Sequence, residues 1–291
     1  MSHHDDSHDE IHDHDLGLSH DLPRLLSRRR ALSFLTGAGL AGAGLITLAA
    51  CGDGDTTTTT AASTTTSSAG STNASSTTSS STSDDEIPEE TSGPYPGDGS
   101  NGPNVLTQSG IVRQDITTSF GSASGVASGV PLTIKLTVLN VNDGSSAPYQ
   151  GAAVYLWHCD RDGKYSMYSD GVTDENYLRG VQAADSAGLV TFTSIYPACY
   201  SGRWPHIHFE VYPSLEAATS ASDRLRTSQL ALPEAASKLV YATDGYEQSV
   251  TNLSQVSLAT DNIFSDGYSL QLGTITGDVS NGMTVTLNVP V

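Results

Sequence analysis

The sequence predicts an all-β fold, an antiparallel β-sandwich with long loops and little helix. From about residue 104 onward, short apolar runs alternate with polar residues and are separated by turns rich in Gly, Asn, Asp and Pro. This spacing is typical of antiparallel sandwiches. The clearest run, residues 131–141, places Leu132, Ile134 and Leu136 on one side of a strand, because side chains two residues apart share a face.

The remaining elements follow from the same reasoning. Strands are predicted at 152–158, 189–195, 206–212, 268–275 and 283–289. A weak helical pattern over 233–240 stands in the long polar section after residue 212. We therefore expect a sandwich of short strands with one short helix.

The first 51 residues are predicted to be an export signal. The basic cluster at residues 28–30 precedes an apolar run from Ala31 to Ala50, which ends at Cys51. The arginine pair resembles a twin-arginine signal, and Leu-Ala-Ala-Cys resembles a lipoprotein processing site with the lipid on Cys51. An uncleaved membrane anchor of about 20 residues is the alternative. Both interpretations place the rest of the chain outside the cytoplasm, as a cell-surface, periplasmic or extracellular protein.

Residues 52–90 are predicted to form a tether, and residues 91–291 the folded β-sandwich domain. Most of the tether is Thr, Ser, Ala and Gly, which cannot bury enough apolar surface to offset the entropy of ordering. The lipid on Cys51 would then be the domain's only attachment to a membrane.

The charge balance excludes two classes of partner. The chain holds 13 Lys and Arg against 32 Asp and Glu, with a formal net charge of −19. Such a surface repels phosphate backbones and anionic lipid headgroups, so we expect neither nucleic-acid binding nor a polybasic membrane contact. A homo-oligomer is left open.

His206 and His208 are the first candidates for metal binding. On a strand they project from one face, while Ile207 projects from the other. Taken alone, a His-x-His pair is more often an ordinary hydrogen-bonded pair than a metal site.

Two tyrosines change this interpretation. Tyr165 and Tyr200 follow turns that could bring them to the same face as the histidine pair. A free phenol has a pKa near 10, so it binds a metal at neutral pH only where a strongly Lewis-acidic ion such as Fe(III) displaces its proton. Zinc prefers Cys, His and carboxylate ligands. Two Tyr with two His therefore indicate a mononuclear, non-haem iron(III) site, with Tyr168 as the alternative to Tyr165.

Five segments in this order resemble the intradiol ring-cleavage dioxygenases, closest to the protocatechuate dioxygenase catalytic subunits and their exported relatives. The segments are residues 154–160, 163–165, 177–180, 195–200 and 203–209. The resemblance covers roughly residues 91–291 and is strongest over 152–212. It implies the sandwich of that family.

The resemblance also implies the chemistry. Tyr165, Tyr200, His206 and His208 match the four iron ligands, and Tyr200 is the ligand that the substrate displaces and that takes a proton. Arg203 matches an active-site arginine whose charge stabilises negative charge on the ring. The substrates would be a small catechol-type aromatic diol and O2, and the product a muconate-type diacid. A salt bridge to a surface carboxylate is the simpler role for Arg203.

Other residues carry weaker expectations. Cys159 and Cys199 lie on two segments that the site must bring together, and an oxidising compartment favours a disulfide between them, with two buried thiols as the alternative. Trp157 and Trp204 could line a pocket or pack in the core, and Tyr95 could approach the site.

Two other functions compete with the enzyme. One is a catalytically inactive β-sandwich that serves as a binding module on a lipoprotein tether. The other is a family member that keeps the metal only as a structural clamp. Neither requires two Tyr, two His and Arg203 together.

Overall fold

The computed structural model describes residues 85–142 and 145–291. These residues contain nine strands and two α-helices: β1 Pro131–Asn140, β2 Ala147–Pro148, β3 Ala153–Trp157, β4 Arg179–Ala183, β5 Leu189–Ile195, β6 His206–Tyr212, β7 Arg226–Ala231, α1 Glu234–Tyr241, α2 Glu247–Leu253, β8 Thr274–Asp278 and β9 Gly282–Pro290. Short 3-10 turns lie at Ala221–Asp223 and Phe264–Asp266.

The first sheet is organised around β1. Strands β9 and β8 follow on one edge of β1, and β5 and β2 share its other edge. The β1–β9 pair is parallel, with Ile134 opposite Val285, and the other pairs are antiparallel. Along β1 the side chains alternate between buried and half-buried, as the sequence predicts. One face of this sheet therefore supplies half of the main core.

The second sheet has the order β4-β3-β6-β7 and is antiparallel throughout. Its inner face packs against the first sheet through residues such as Leu156, Ile207 and Phe209. Its other face carries Trp157 and Tyr155, which pack in a separate apolar cluster with Val105 and Ile111 from the chain before β1 and with Tyr165. Each strand residue of β3 and β6 is buried as a result. The site lies on this covered face.

The prediction of an all-β sandwich is confirmed. Strands β5 and β6 have the predicted bounds, and β1, β3, β9 and α1 agree within two residues. The predicted strand at 268–275 is wrong in its first half, because Tyr268 O accepts hydrogen bonds from Gln271 N and Leu272 N in a turn. The sequence patterns missed β2, β4, β7 and α2.

The packed chain begins before the predicted boundary at residue 91. Ile87 is fully buried, and its N–H donates to Pro290 O at 2.8 Å. Glu90 N–H donates to Thr227 O at 2.8 Å. The predicted export signal, the lipid on Cys51 and most of the tether lie outside the described residues. Within the described ranges, no helix is long and apolar enough to cross a membrane.

Candidate metal centre

Strand β6 presents His206 and His208 side by side. Their Nε2 atoms are 3.1 Å apart, and both rings are almost completely buried. His206 Nδ1 lies 2.5 Å from Trp204 O, so a proton on Nδ1 leaves the Nε2 lone pair facing His208. The His208 ring stacks on Trp157 with centroids 5.0 Å apart and planes at 6°. Both imidazoles are thus fixed with one nitrogen each toward a common point.

Two loops bring the phenols to the same point. The turn before Tyr165 is held by Asp160 Oδ1, which accepts hydrogen bonds from the N–H groups of Asp162 and Lys164. The Tyr165 hydroxyl lies 3.4 Å from the Tyr200 hydroxyl and 3.5 Å from His206 Nε2. The Tyr200 hydroxyl lies 3.2 Å from His206 Nε2. Tyr165 is buried, whereas Tyr200 is half-buried.

The spacing of the four donor atoms fits a single metal ion. Ligand atoms at about 2.0–2.2 Å from one first-row metal lie about 3.0–3.5 Å from each other. His206 Nε2 lies 3.1–3.5 Å from each of the other three donor atoms, and the two hydroxyls are 3.4 Å apart. Among the described residues, no group of three or more His, Cys, Asp and Glu could hold a metal, so the phenols are needed to complete this donor set.

Burial sets the protonation of the donors in the absence of a cation. Desolvation raises the pKa of Tyr165 and Tyr200 above the ordinary phenol value. Desolvation also lowers the pKa of His206 and His208 well below the ordinary imidazole value, with the charge of Arg203 acting in the same direction. Near neutral pH the imidazoles are therefore ready to bind a metal, and the phenols need a strong Lewis acid to lose their protons.

Arg203 joins the cluster from the loop before β6. Its Nη1 lies 3.4 Å from His206 Nε2. Its Nε donates to Asp261 Oδ2 at 3.0 Å, and its Nη2 donates to Gln229 Oε1 at 2.7 Å. The salt bridge expected for Arg203 thus exists, but it is made with a buried carboxylate, and the guanidinium also reaches the donor cluster.

A segment before β1 covers the histidines. Gly93 has φ +72°, and a Cβ at this position would lie 3.3 Å from His208 Cε1. The ring of Tyr95 packs against Tyr165 with centroids 5.1 Å apart, so Tyr95 approaches the site as expected. Arg179 holds this segment by donating to the carbonyl oxygens of Tyr95 and Pro96. The donor cluster is therefore covered by the segment that contains Gly93 and Tyr95.

Other sequence candidates fall outside the donor cluster. The Tyr168 hydroxyl accepts from Gly97 N–H and donates to Asn101 O, each at 2.8 Å, so it is engaged elsewhere. The Trp204 indole donates to Leu232 O and packs in the main core, which decides between its two expected roles. Trp157 is buried against His208.

The predicted disulfide between Cys159 and Cys199 is not formed. Both cysteines are free and buried. Cys159 Sγ donates to Ala198 O at 3.7 Å, and Cys199 Sγ donates to Arg203 O at 3.4 Å. Each thiol thus has its own main-chain acceptor, which corresponds to the alternative of two buried thiols.

Three contributors to the site escaped the sequence analysis. Gln229 lies opposite His208 in the β6–β7 register, but the strand that carries it has no apolar alternation. Asp261 lies in the long section after β7 with no local motif around it. Arg179 was noted only as part of a motif. Had β7 been predicted from the sequence, Gln229 would have been placed next to β6. No pattern around Asp261 indicates its part in the site.

The comparisons with known proteins agree with this geometry. Residues 101–208 match the family model described as Dioxygenase, a range that includes Tyr165, Tyr200, Arg203 and both histidines. Chlorocatechol 1,2-dioxygenase of Rhodococcus opacus is 38% identical over 61 residues, which are 21% of this chain and 24% of that protein. The match therefore spans about a quarter of that relative's length.

A solved structure extends the similarity to most of the domain. The intradiol ring-cleavage dioxygenase from Tetranychus urticae superposes with a TM-score of 0.56 at 23% identity, over 71% of this chain and 94% of that one. This similarity shows a shared fold. The fold and the family match define a dioxygenase-type β-sandwich. The chain thus contains a segment that matches the Dioxygenase family model, within a fold shared with an intradiol ring-cleavage dioxygenase.

Proposed function

We propose that the chain is a non-haem Fe(III)-dependent intradiol dioxygenase, which cleaves a catechol-type aromatic diol with O2 to a muconate-type diacid. The observation that carries the proposal is the convergence of two phenols and two imidazoles, in which His206 Nε2 lies 3.1–3.5 Å from each of the other three donor atoms. A charged guanidinium lies beside them. The match of residues 101–208 to the Dioxygenase family model supports the same conclusion.

The donor set favours trivalent iron. Two phenols with raised pKa bind only a cation strong enough to displace their protons, and two phenolates then balance two of its three charges. Bound Fe(III) supplies Lewis acidity that favours chelation of the diol as a dianion and its reaction with O2. Tyr165, Tyr200, His206 and His208 are the proposed ligands.

The two tyrosines have different proposed roles because their exposure differs. Tyr165 is buried under Tyr95 and stays in place as a permanent ligand. Tyr200 is half-buried, so it has room to move when the diol binds and to accept one diol proton on its phenolate oxygen. This role for Tyr200 also rests on the resemblance to the family.

Arg203 is proposed as the electrostatic catalyst. Its charge is fixed, and Nη1 is the guanidinium nitrogen nearest the donor atoms. A cation held there stabilises negative charge that develops on the ring and its oxygens during cleavage.

Colour and activity together test the proposal. The full chain, produced with iron, should show the visible tyrosinate-to-iron(III) absorption and consume O2 with a catechol. Tyr165→Phe should lose iron, colour and activity together. Tyr168→Phe, which removes a hydroxyl engaged with Gly97 and Asn101, is the matched control and should keep the iron and the colour. A colourless, iron-free wild-type chain would favour the binding-module alternative.

The substrate class is proposed as catechol-type diols. The curated relative acts, by its name, on a chlorocatechol. The high negative charge of the chain disfavours polyanionic partners such as nucleic acid. Oxygen uptake measured with catechol, chlorinated, carboxylated and hydroxylated catechols should identify the preferred ring. Static light scattering of the same sample will show whether the chain forms a homo-oligomer.

We also propose that the enzyme works outside the cytoplasm as a lipoprotein attached through Cys51. The support comes from the sequence, where the arginine cluster, the apolar run and Leu-Ala-Ala-Cys occur in order. Labelling with a fatty-acid analogue should mark the wild-type chain and not Cys51→Ala. Equal labelling of both chains would contradict the lipid on Cys51.

A further inference from the structure

The orientation of Arg203 depends on a carboxylate that lies far away in the sequence. Asp261 is fully buried, and its Oδ2 accepts from Arg203 Nε at 3.0 Å and from Trp204 N–H at 2.7 Å. Its Oδ1 accepts from the N–H groups of Ile263 and Phe264 at 2.8 and 3.2 Å. Both oxygens of the carboxylate are thus held by two donors each, and the carboxylate has little freedom to turn.

The fixed carboxylate determines which nitrogen of Arg203 faces the site. The guanidinium is a rigid planar fork, so the position of two nitrogens sets the third. Asp261 holds Nε and Gln229 holds Nη2, whereas Nη1 points toward His206 Nε2 at 3.4 Å. An Arg203 without the Nε contact would have several side-chain rotamers available beside the cluster.

Asp261 lies outside the segment that matches the family model, which ends at residue 208. It belongs to the section between α2 and β8, which contributes none of the four donor atoms. The contact thus couples this distal section to the loop that leads into β6.

We infer that Asp261 is a positioning residue for Arg203, which directs Nη1 at the reacting ring. This inference rests on the proposed function, because the charge has to be aimed at a substrate bound to the four-donor cluster. Asp261 acts through Arg203 and does not contact the reacting atoms itself.

The first test is a double-mutant cycle between Asp261→Asn and Arg203→Lys in the iron-loaded full chain. Misplacement of a catalytic group by about 1 Å costs up to about 100-fold in rate, so Asp261→Asn should lower kcat about 10- to 100-fold. The KM should change by less than about threefold, and the tyrosinate-to-iron(III) absorption should remain. In the Arg203→Lys background, Asp261→Asn should have little further effect, because lysine lacks the fork that Asp261 orients.

Two kinetic outcomes would overturn the inference. One is a kcat of Asp261→Asn equal to that of wild type. The other is an equal loss from Asp261→Asn in both backgrounds, which would mean that Asp261 acts through Ile263, Phe264 or Trp204 rather than through Arg203. Asp278→Asn is the matched control, because Asp278 also accepts main-chain N–H bonds but lies exposed at the end of β8.

A second measurement is independent of activity and of any change at Asp261. In the iron-free wild-type full chain, the Arg203 Nε–H should give a slowly exchanging NMR signal, identified by its absence in Arg203→Lys. A rapidly exchanging signal would overturn the positioning role even if the chain proved to be a dioxygenase. A slowly exchanging signal in a chain without iron binding or oxygen uptake would instead leave the contact intact and remove the proposed function.

Discussion

The strands of the two sheets differ in whether one or both of their faces are buried. In β1, of the first sheet, Leu132, Ile134 and Leu136 are buried, and the residues between them are half-buried. In β6, of the second sheet, every residue from His206 to Tyr212 is buried. The first sheet therefore has one packed face, and the second has two.

The difference arises from what covers the second sheet. The chain before β1 and the loop that carries Tyr165 lie on the outer face of β3 and β6, where Tyr155 and Trp157 pack with Val105 and Ile111. Buried polar groups there need partners, since an unpaired group costs about 1–3 kcal/mol. Arg179 illustrates this, because its guanidinium donates to three carbonyl oxygens and two hydroxyls. The covered face of the second sheet can therefore keep polar side chains away from water with their hydrogen bonds made.

The largest expected effect is the loss of activity when a proposed ligand on the second sheet is replaced. His208→Asn should remove one proposed ligand and lower kcat/KM at least about 1,000-fold, with loss of bound iron. Its free energy of unfolding in the absence of iron should change by less than about 1.5 kcal/mol, because Nδ1 of His208 has no hydrogen-bond partner among the described residues. Iron analysis, oxygen uptake and urea unfolding measure the three quantities.

A matched substitution on the first sheet should reduce stability and leave activity nearly unchanged. Ile134→Ala leaves a cavity between the sheets and should reduce the free energy of unfolding by about 2–5 kcal/mol. The activity per iron bound should stay within about twofold of wild type, because no donor lies on this sheet. If Ile134→Ala instead reduced activity as much as His208→Asn, the separation of stability and chemistry between the sheets would be wrong.

The two phenols, which loops bring to the outer face of the second sheet, should also make iron binding depend on pH. Burial raises the pKa of Tyr165 and Tyr200, so both phenols are protonated in the metal-free protein at neutral pH. Binding releases both protons, and affinity should therefore rise with pH by up to about 100-fold per pH unit for two protons. Competition with a chelator of known pH dependence, between pH 6 and 8, measures the slope. A slope near zero would mean that the phenols are not ligands.

The smallest expected effect comes from two glycines with the same backbone geometry. Gly93 and Gly121 both have φ +72°, but a Cβ would lie 3.3 Å from His208 at Gly93 and within 4 Å of nothing at Gly121. Alanine should cost about 1–2 kcal/mol of unfolding free energy at each position, because L residues disfavour this φ. Only Gly93→Ala should also shift the iron absorption and reduce activity several-fold. Equal spectra for both variants would show that the close approach of the backbone at Gly93 to His208 does not affect the iron site.

The sequence predicted three strands of the first sheet and two of the second to within two residues. Apolar alternation gave the bounds of β5 and most of β1 and β9, because each faces solvent or polar loops on one side. Strand β7 was missed because Thr227, Ser228 and Gln229 are polar yet buried, a state that only the covering chain creates. The four proposed ligands were predicted from their order and residue types. Asp261 was not, since its role depends on a tertiary contact with Arg203.

The cysteine prediction failed for a related reason. The argument for a disulfide used the compartment and the nearness of two segments, neither of which defines the direction of a thiol. In the structure, each sulfur is satisfied by a carbonyl of the neighbouring loop. Cys199 binds the carbonyl of Arg203 itself, so the thiol helps to hold the loop that leads into β6.

The segment that covers the histidines is anchored by a strand that is synthesised long after the proposed ligands. Ile87 is held by Pro290, which lies 203 residues later in the chain (290 minus 87). All four proposed ligands have been made once residue 208 is added, but the strand that anchors Ile87 follows 82 residues later (290 minus 208). Contacts of such long separation form late, because closing the loop costs entropy before it gains any contact. A partly synthesised chain therefore already contains the four proposed ligands while it lacks the strand that anchors the segment covering them.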